Sequence, residues 1–233
     1  MAAGTSIPYM NTRFNVYNGF FRKVVLWLSW PVIQHPQKAL RTIQQNDLPQ
    51  IDASKRVLGV IRPTSEVIGG YSKTGHVGVM GTTGTVQSGS YLIEIEKFYP
   101  GIAVSQEACP IWVPLVESNE HRSDGADFFI KKHIDHLLQQ DAAIDTILLA
   151  CTHYPLLIDK IMKYVPKGVS VIAQGEIIAA SLQDYLNRHP EIEKKCSKSG
   201  ERKFYTTGDI ADFNNHASLF FLQELVAEKI KLL

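Results

Sequence analysis

From about residue 56 onward, short apolar runs of strand length alternate with longer stretches of helical spacing, and this alternation most constrains the fold. Val57 to Ile61 is a short apolar run ended by Pro63. His76 to Met80 reads as a strand that runs into the turn Gly81-Thr82-Thr83-Gly84-Thr85, and a helix is predicted from Val86 to Phe98. Gly101 to Val104 reads as a further strand. Asp127 to Gln140 carries helical apolar spacing through Phe128, Phe129, Ile134, Leu137 and Leu138. Thr146 to Ala150 has the composition of a buried strand, with a helix to follow from Leu156 to Tyr164. Val169 to Ile172 reads as a strand, Glu176 to Leu186 as a helix, and the polar stretch from His189 to Arg202, which contains Pro190, as a loop. Lys203 to Tyr205 is a last strand, and Asn215 to Ile230 a closing helix. Strands separated by helices imply a parallel α/β sheet covered on both faces. Ligands of such sheets collect at the carboxyl ends of strands, where Gly81-Thr82 and Cys151 both fall.

The 233 residues suffice for one large domain or two small ones. With 45% hydrophobic and 20% charged residues, the composition is that of an ordinary globular protein. A net charge of +1, without a clustered basic face, gives no footprint for nucleic acid; Lys194, Lys195 and Lys198 to Lys203 read as a solvated loop. The apolar run from Val24 to Ile33, preceded by Arg22-Lys23, is too short to span a bilayer and is followed by no small-residue cleavage site. The sparse cysteines, Cys109, Cys151 and Cys196, argue against a disulfide framework and for a reducing compartment. No pair has the C-x-x-C spacing of a zinc site. His133 and His136 flank a helix face without a partner at metal spacing and read as surface residues, so no metal is expected.

Cys151 follows a buried strand and precedes a helix start, with Pro155 suited to the first turn. A thiol at a helix N-terminus feels the positive end of the dipole, which lowers its pKa, and His153 is placed to tune it or to carry a proton. Taken alone, such a cysteine is more often a small buried hydrophobe. With Thr152, His153, Tyr154 and Pro155 behind it, a functional thiol is the better reading.

The run Leu149-Ala150-Cys151-Thr152-His153-Tyr154-Pro155-Leu156-Leu157 resembles the second cysteine motif of the cofactor-independent glutamate racemases. Other stretches agree. Val77 to Thr85 with Ser88 to Tyr91 is similar to the family's Gly-Thr-x-Gly-Thr turn and the helix behind it. Ala108-Cys109-Pro110 and Val113 to Glu117 match a segment carrying an acidic residue near the site. Phe204 to Asp209 resembles its C-terminal strand and turn, and Gly59 to Pro63 its inter-domain crossing. The similarity covers roughly residues 38 to 233. It implies two similar parallel-sheet α/β domains with the active site in the cleft between them. Residues 1–62 would be a remnant of an incomplete N-terminal domain, 63–175 the second domain, and 176–233 a segment packing back on the first.

Racemisation needs a base on each face of Cα, and the family uses two cysteines without pyridoxal phosphate or any other cofactor. By resemblance Cys151 is one base, His153 assists it, and Glu117 assists from behind; read alone, Glu117 is a solvated loop carboxylate. Thr152 would bind the small-molecule substrate, glutamate, together with Thr82 and Thr85, whose turn offers hydroxyls and backbone N–H groups to its carboxylate. The bland alternative for the pair is turn chemistry with Thr85 as an N-cap, and the two readings coexist. Cys109 reads as structural packing and Cys196 as incidental. The product would supply peptidoglycan synthesis in a bacterial cytoplasm, and a homodimer is compatible with the resemblance.

The chain departs from the family before Lys38. It has no opening strand with an Asp-Ser-Gly turn, and no first cysteine motif, Cys-Asn-Thr-Ala-Ser. At that place stands Leu28 to Gln37, which can be encoded as TTG TCA TGG CCT GTA ATA CAG CAT CCG CAA. Read after skipping the first two nucleotides, that string encodes Val-Met-Ala-Cys-Asn-Thr-Ala-Ser-Ala, with Trp30-Pro31 forcing the alanine codon. About residues 11 to 37 therefore read as a frameshifted translation, and Ile7-Pro8-Tyr9 as a remnant of a Pro-Tyr-Gly substrate segment, with Tyr9 at the substrate. A lesser departure is Ala173-Gln174-Gly175-Glu176, where an aspartate is usual. A chain without the opposite-face cysteine is expected to have little racemase activity and poor solubility. The alternatives are a non-catalytic remnant, a racemase of aspartate or a related acid, and, more weakly, a hydrolase built on Cys151 and His153.

Overall fold

The computed structural model describes residue 40 and residues 42–52, 56–196, 198 and 203–231. Tyr9 and the anomalous stretch 11–37 lie outside the described residues. The described residues up to Tyr185 form one compact unit, and those from Leu186 onward belong to a second.

The first unit opens with a π-helical turn, Ile43–Asp47, which continues into α1 (Leu48–Asp52). An irregular stretch follows before α2 (Ile61–Val67), in which Pro63 occupies the first turn, where a missing N–H costs nothing. The predicted alternation then follows: β1 (His76–Gly81), α3 (Thr83–Gln87), α4 (Ser90–Phe98), β2 (Ala103–Ala108), α5 (Trp112–Glu117), α6 (Asp124–Gln140), β3 (Thr146–Leu149), α7 (Ile158–Tyr164), β4 (Ser170–Ala173) and α8 (Gln174–Arg188). The strands form one parallel sheet in the order β2-β1-β3-β4.

The central strands are buried on both faces, and alternate residues enter different cores. Val77 and Val79 of β1 and Leu148 of β3 join Ile68, Tyr91 and Ile95 on one side. Met80, Ile147 and Leu149 join Trp112, Ile130, Ile134, Leu137 and Ile161 on the other. Helix α6 lies close against β1 at Gly78, where an added Cβ would come within 2.7 Å of Leu137 Cδ2.

Several details differ from the sequence reading. The predicted helix Val86–Phe98 is two helices, because Gly89 takes a left-handed conformation (φ 60°) between them. Ahead of α7, Tyr154–Leu157 is a 3-10 turn with Pro155 in its first positions. The predicted closing helix is displaced. In the second unit, α9 (Pro190–Glu193) interrupts the expected loop, and β5 (Phe204–Thr206) is followed by α10 (Ile210–Phe221) and β6 (Ala227–Lys229), which pairs with β5 in parallel. Helix α10 starts early because the Asp209 carboxylate accepts from the Asp212 N–H at 2.9 Å. It ends at Leu222 in a left-handed conformation (φ 54°), and Asn214 Oδ1 then accepts the Ala227 N–H at 2.9 Å, holding the strand that replaces the rest of the predicted helix. Among the described residues no helix is long and apolar enough to cross a membrane.

Candidate active site

Cys151 stands one residue beyond the end of β3. Its neighbour Ala150 donates its N–H to Met80 O at 2.8 Å, so the chain leaves the sheet beside β1 at the point where β1 reaches Gly81. An added Cβ at Gly81 would lie 3.1 Å from Thr85 Cβ and 3.8 Å from Ala150 Cβ. The glycine therefore lets the threonine turn close down on the strand end that presents Cys151. Thr82 caps α3: its hydroxyl accepts the Thr85 N–H at 3.3 Å and lies 3.0 Å from Thr85 Oγ1. The cap residue is thus Thr82, three residues before the position the sequence suggested, and Thr85 is the capped residue.

Cys151 is only 7% exposed. Its sulfur lies 3.9 Å from His153 Nδ1, and His153 Nε2 lies 3.4 Å from Glu117 Oε1 at the end of α5. The imidazole thus bridges thiol and carboxylate. Thr152 is exposed, with its hydroxyl 3.4 Å from the same Nδ1. The structure brings together Cys151, Thr152, His153 and Glu117, and seats the Thr82–Thr85 pair at the neighbouring strand end.

The thiol's acidity departs from the sequence expectation. Burial pushes the Cys151 thiol above the ordinary range, and the Glu117 charge pushes the same way. The N–H groups of His153 and Tyr154 pull it down without prevailing. Helix-terminal donors do act on the sulfur, as the sequence suggested, but in an apolar wall the desolvation of a thiolate outweighs them.

Sequence reasoning missed part of that wall. Tyr154 is fully buried, packs edge-on against Trp112 at 4.8 Å between ring centroids, and donates its hydroxyl to Cys109 O at 3.0 Å. Cys109 is also fully buried; desolvation first, and then Glu107, raise its thiol strongly. At the end of β4, the Gln174 side-chain amide donates to the buried Tyr91 hydroxyl and, at 3.2 Å, to Thr64 Oγ1. Gln174 marks the departure from an expected aspartate. A neutral amide there suits a phenol that burial holds protonated. The signal for Tyr154 was its place in the motif, but nothing local in the sequence pointed to Trp112 or Thr64.

The reading of His133 and His136 as surface residues without a partner fails for His133. That side chain is 10% exposed, and its Nδ1 lies 2.6 Å from Glu107 Oε1. The helix turns it inward to the end of β2, a contact that spacing along α6 does not reveal. His136 is half exposed and approaches the same oxygen at 3.6 Å.

No family model matches the chain. A glutamate racemase of Streptococcus suis is 35% identical over 176 residues, covering 76% of this chain and 66% of the relative. A glutamate racemase of Shouchella clausii is 36% identical over 162 residues, covering 70% of this chain and 57% of the relative. The matched part of this chain therefore spans just under two thirds of these relatives' length, or less. Among solved structures, the glutamate racemase of Francisella tularensis, crystallised with D-glutamate, superposes with a TM-score of 0.73 at 21% identity over 100% of this chain and 84% of that one; at that identity the likeness shows the fold.

Proposed function

Since the chain belongs to the glutamate racemase family, we propose that Cys151 is a base acting on the Cα proton of glutamate. The observation that carries this reading is the array Cys151–His153–Glu117, with separations of 3.9 Å and 3.4 Å, beside the threonine turn. His153 takes the thiol proton, and Glu117 stabilises the imidazolium that results. Conversion to a charged pair offsets the burial that keeps the isolated thiol protonated. Thr82, Thr85 and Thr152 offer hydroxyls to the substrate carboxylates, and the thiolate removes the Cα proton from its own face. Tyr9 belongs to the substrate side of the same reading. So does the division at about residues 62 and 175.

Inversion needs a second base opposite the first. The three cysteines are Cys109, Cys151 and Cys196, and none stands in a Cys-Asn-Thr-Ala-Ser motif. The chain as written is therefore half of a two-base site, and residues 11–37 are the translation of a shifted reading frame. In its intact form the product is D-glutamate for peptidoglycan synthesis in a bacterial cytoplasm, made without cofactor and with room for a homodimer. The coding DNA tests the frame: a single insertion or deletion upstream of Lys38 restores the motif, or the reading is wrong.

The chemistry is tested by incubating the purified chain in D2O with each glutamate enantiomer. The expected result is Cys151-dependent α-deuterium incorporation into one enantiomer, with retention, far faster than the other enantiomer appears. Racemisation near the rate of an intact racemase overturns the one-sided reading. Binding of glutamate by calorimetry without any exchange overturns the catalytic one. That second outcome supports a non-catalytic remnant, which the raised thiol pKa favours.

A further inference from the structure

We propose that Glu107, His133 and His136 form a binding site for a divalent transition-metal ion of the zinc class, on the edge of the sheet between β2 and α6. One ligand atom from each of the three lies within 4.8 Å of the other two. The two histidines are three residues apart on α6, and so share a face of the helix. Both turn Nδ1 toward Glu107 Oε1, at 2.6 Å and 3.6 Å. Atoms held by one tetrahedral zinc ion at about 2.1 Å lie about 3.4 Å from one another, a spacing that the observed separations of 2.6 Å and 3.6 Å bracket.

A plain ion pair accounts for His133 on Glu107. It does not account for a second imidazole converging on the same oxygen, nor for the support of the carboxylate from its other side. Gln140, one helical turn beyond His136, donates to Glu107 Oε2 at 3.2 Å, which leaves Oε1 aimed at the histidines. The Glu107 and His133 side chains are 13% and 10% exposed, whereas His136 is 48% exposed. Two ligands are therefore fixed in a dry wall, and the third sits at the mouth, where water completes the coordination. Two imidazoles and a carboxylate suit zinc, nickel or copper and not magnesium or calcium, which take oxygen ligands. Trp112 packs edge-on to His133 at 6.2 Å between ring centroids and to Tyr154 at 4.8 Å, so an ion here stiffens the apolar wall beside Cys151.

The test is titration of the full chain with zinc chloride by calorimetry, and with Co2+ by visible absorption. One ion is expected to bind, with a rise in Tm. His136→Ala and Glu107→Gln should each weaken binding by roughly tenfold or more, and their unfolding without metal shows that they are folded. The Co2+ complex should show d–d bands of nitrogen and oxygen ligation without a thiolate charge-transfer band, and Cys151→Ser should leave it unchanged. Equal zinc affinity in wild type and both variants overturns the proposal. So does a thiolate band that disappears with Cys151→Ser, which would place the ion on the cysteine.

Discussion

Two influences of opposite sign meet at the Cys151 sulfur. Burial and the nearby Glu117 carboxylate favour the thiol; the N–H groups of His153 and Tyr154 favour the thiolate. The thiol wins, so in the unliganded chain Cys151 should react with iodoacetamide slowly at neutral pH and faster only as pH climbs past the ordinary thiol range. Glu117→Gln removes the anion without removing the side chain, and the alkylation profile should move to lower pH. Its effect on catalysis should be the reverse, because the imidazolium of His153 loses its partner, and α-deuterium exchange should slow by roughly tenfold or more. An alkylation profile that stays in place would show that the Glu117 charge does not reach the thiol. At this scale the placement of the candidate residues was legible where they sit in one run: Cys151, Thr152 and His153 are adjacent, and the strand-end rule placed them beside Thr82. It was not legible where burial decides. The direction of the thiol shift depends on Tyr154 and the wall around it, and the inward turn of His133 depends on a strand whose contact with α6 no local pattern announces.

At the scale of elements, strand composition and helical spacing carried through into the parallel sheet, because β1 and β3 are apolar on both faces and α6 repeats its apolar residues with the helical period. The misses have local causes. Gly89 breaks a helix that its neighbours favour, and an aspartate cap with an asparagine side chain converts the end of the predicted closing helix into α10 and β6. The sheet also makes a demand that spacing alone cannot express, at Gly78, where α6 leaves no room for a Cβ. Gly78→Ala should destabilise the chain by about 1–3 kcal/mol, since Leu137 is itself fully buried and has little freedom to move. Gly84→Ala is its counterpart, with nothing within 4 Å of the added Cβ beyond its chain neighbours and its own helix backbone. There, gained helix propensity should make the change neutral or stabilising by up to about 1 kcal/mol. Chemical denaturation of the two variants checks the contrast, and equal effects would mean that α6 does not rest on β1 as closely as described.

At the scale of the whole molecule, the two units differ in how they are held together. The first is built round a four-stranded sheet with a core on each face. Among the described residues of the second, those that are buried and apolar are few, Ile192, Leu225 and Ala227, and the end of α10 leaves Leu222 88% exposed and Val226 76% exposed. Local stability follows buried apolar contact, so the units should not open together. Hydrogen exchange followed by mass spectrometry should find the amides of β1 and β3 the slowest, and those of β5, β6 and α10 exchanging through openings of much lower free energy. Unfolding should accordingly depart from a single two-state transition. Leu222 gives a handle on the weaker unit, because a leucine in the left-handed region costs about 1–2 kcal/mol and at this exposure contributes little packing in return. Leu222→Gly should slow exchange in α10 and reduce aggregation on heating, while leaving β1 and β3 unchanged. Slowing of both units to the same extent would mean that they unfold as one body, and the separation of their stabilities would have to be abandoned.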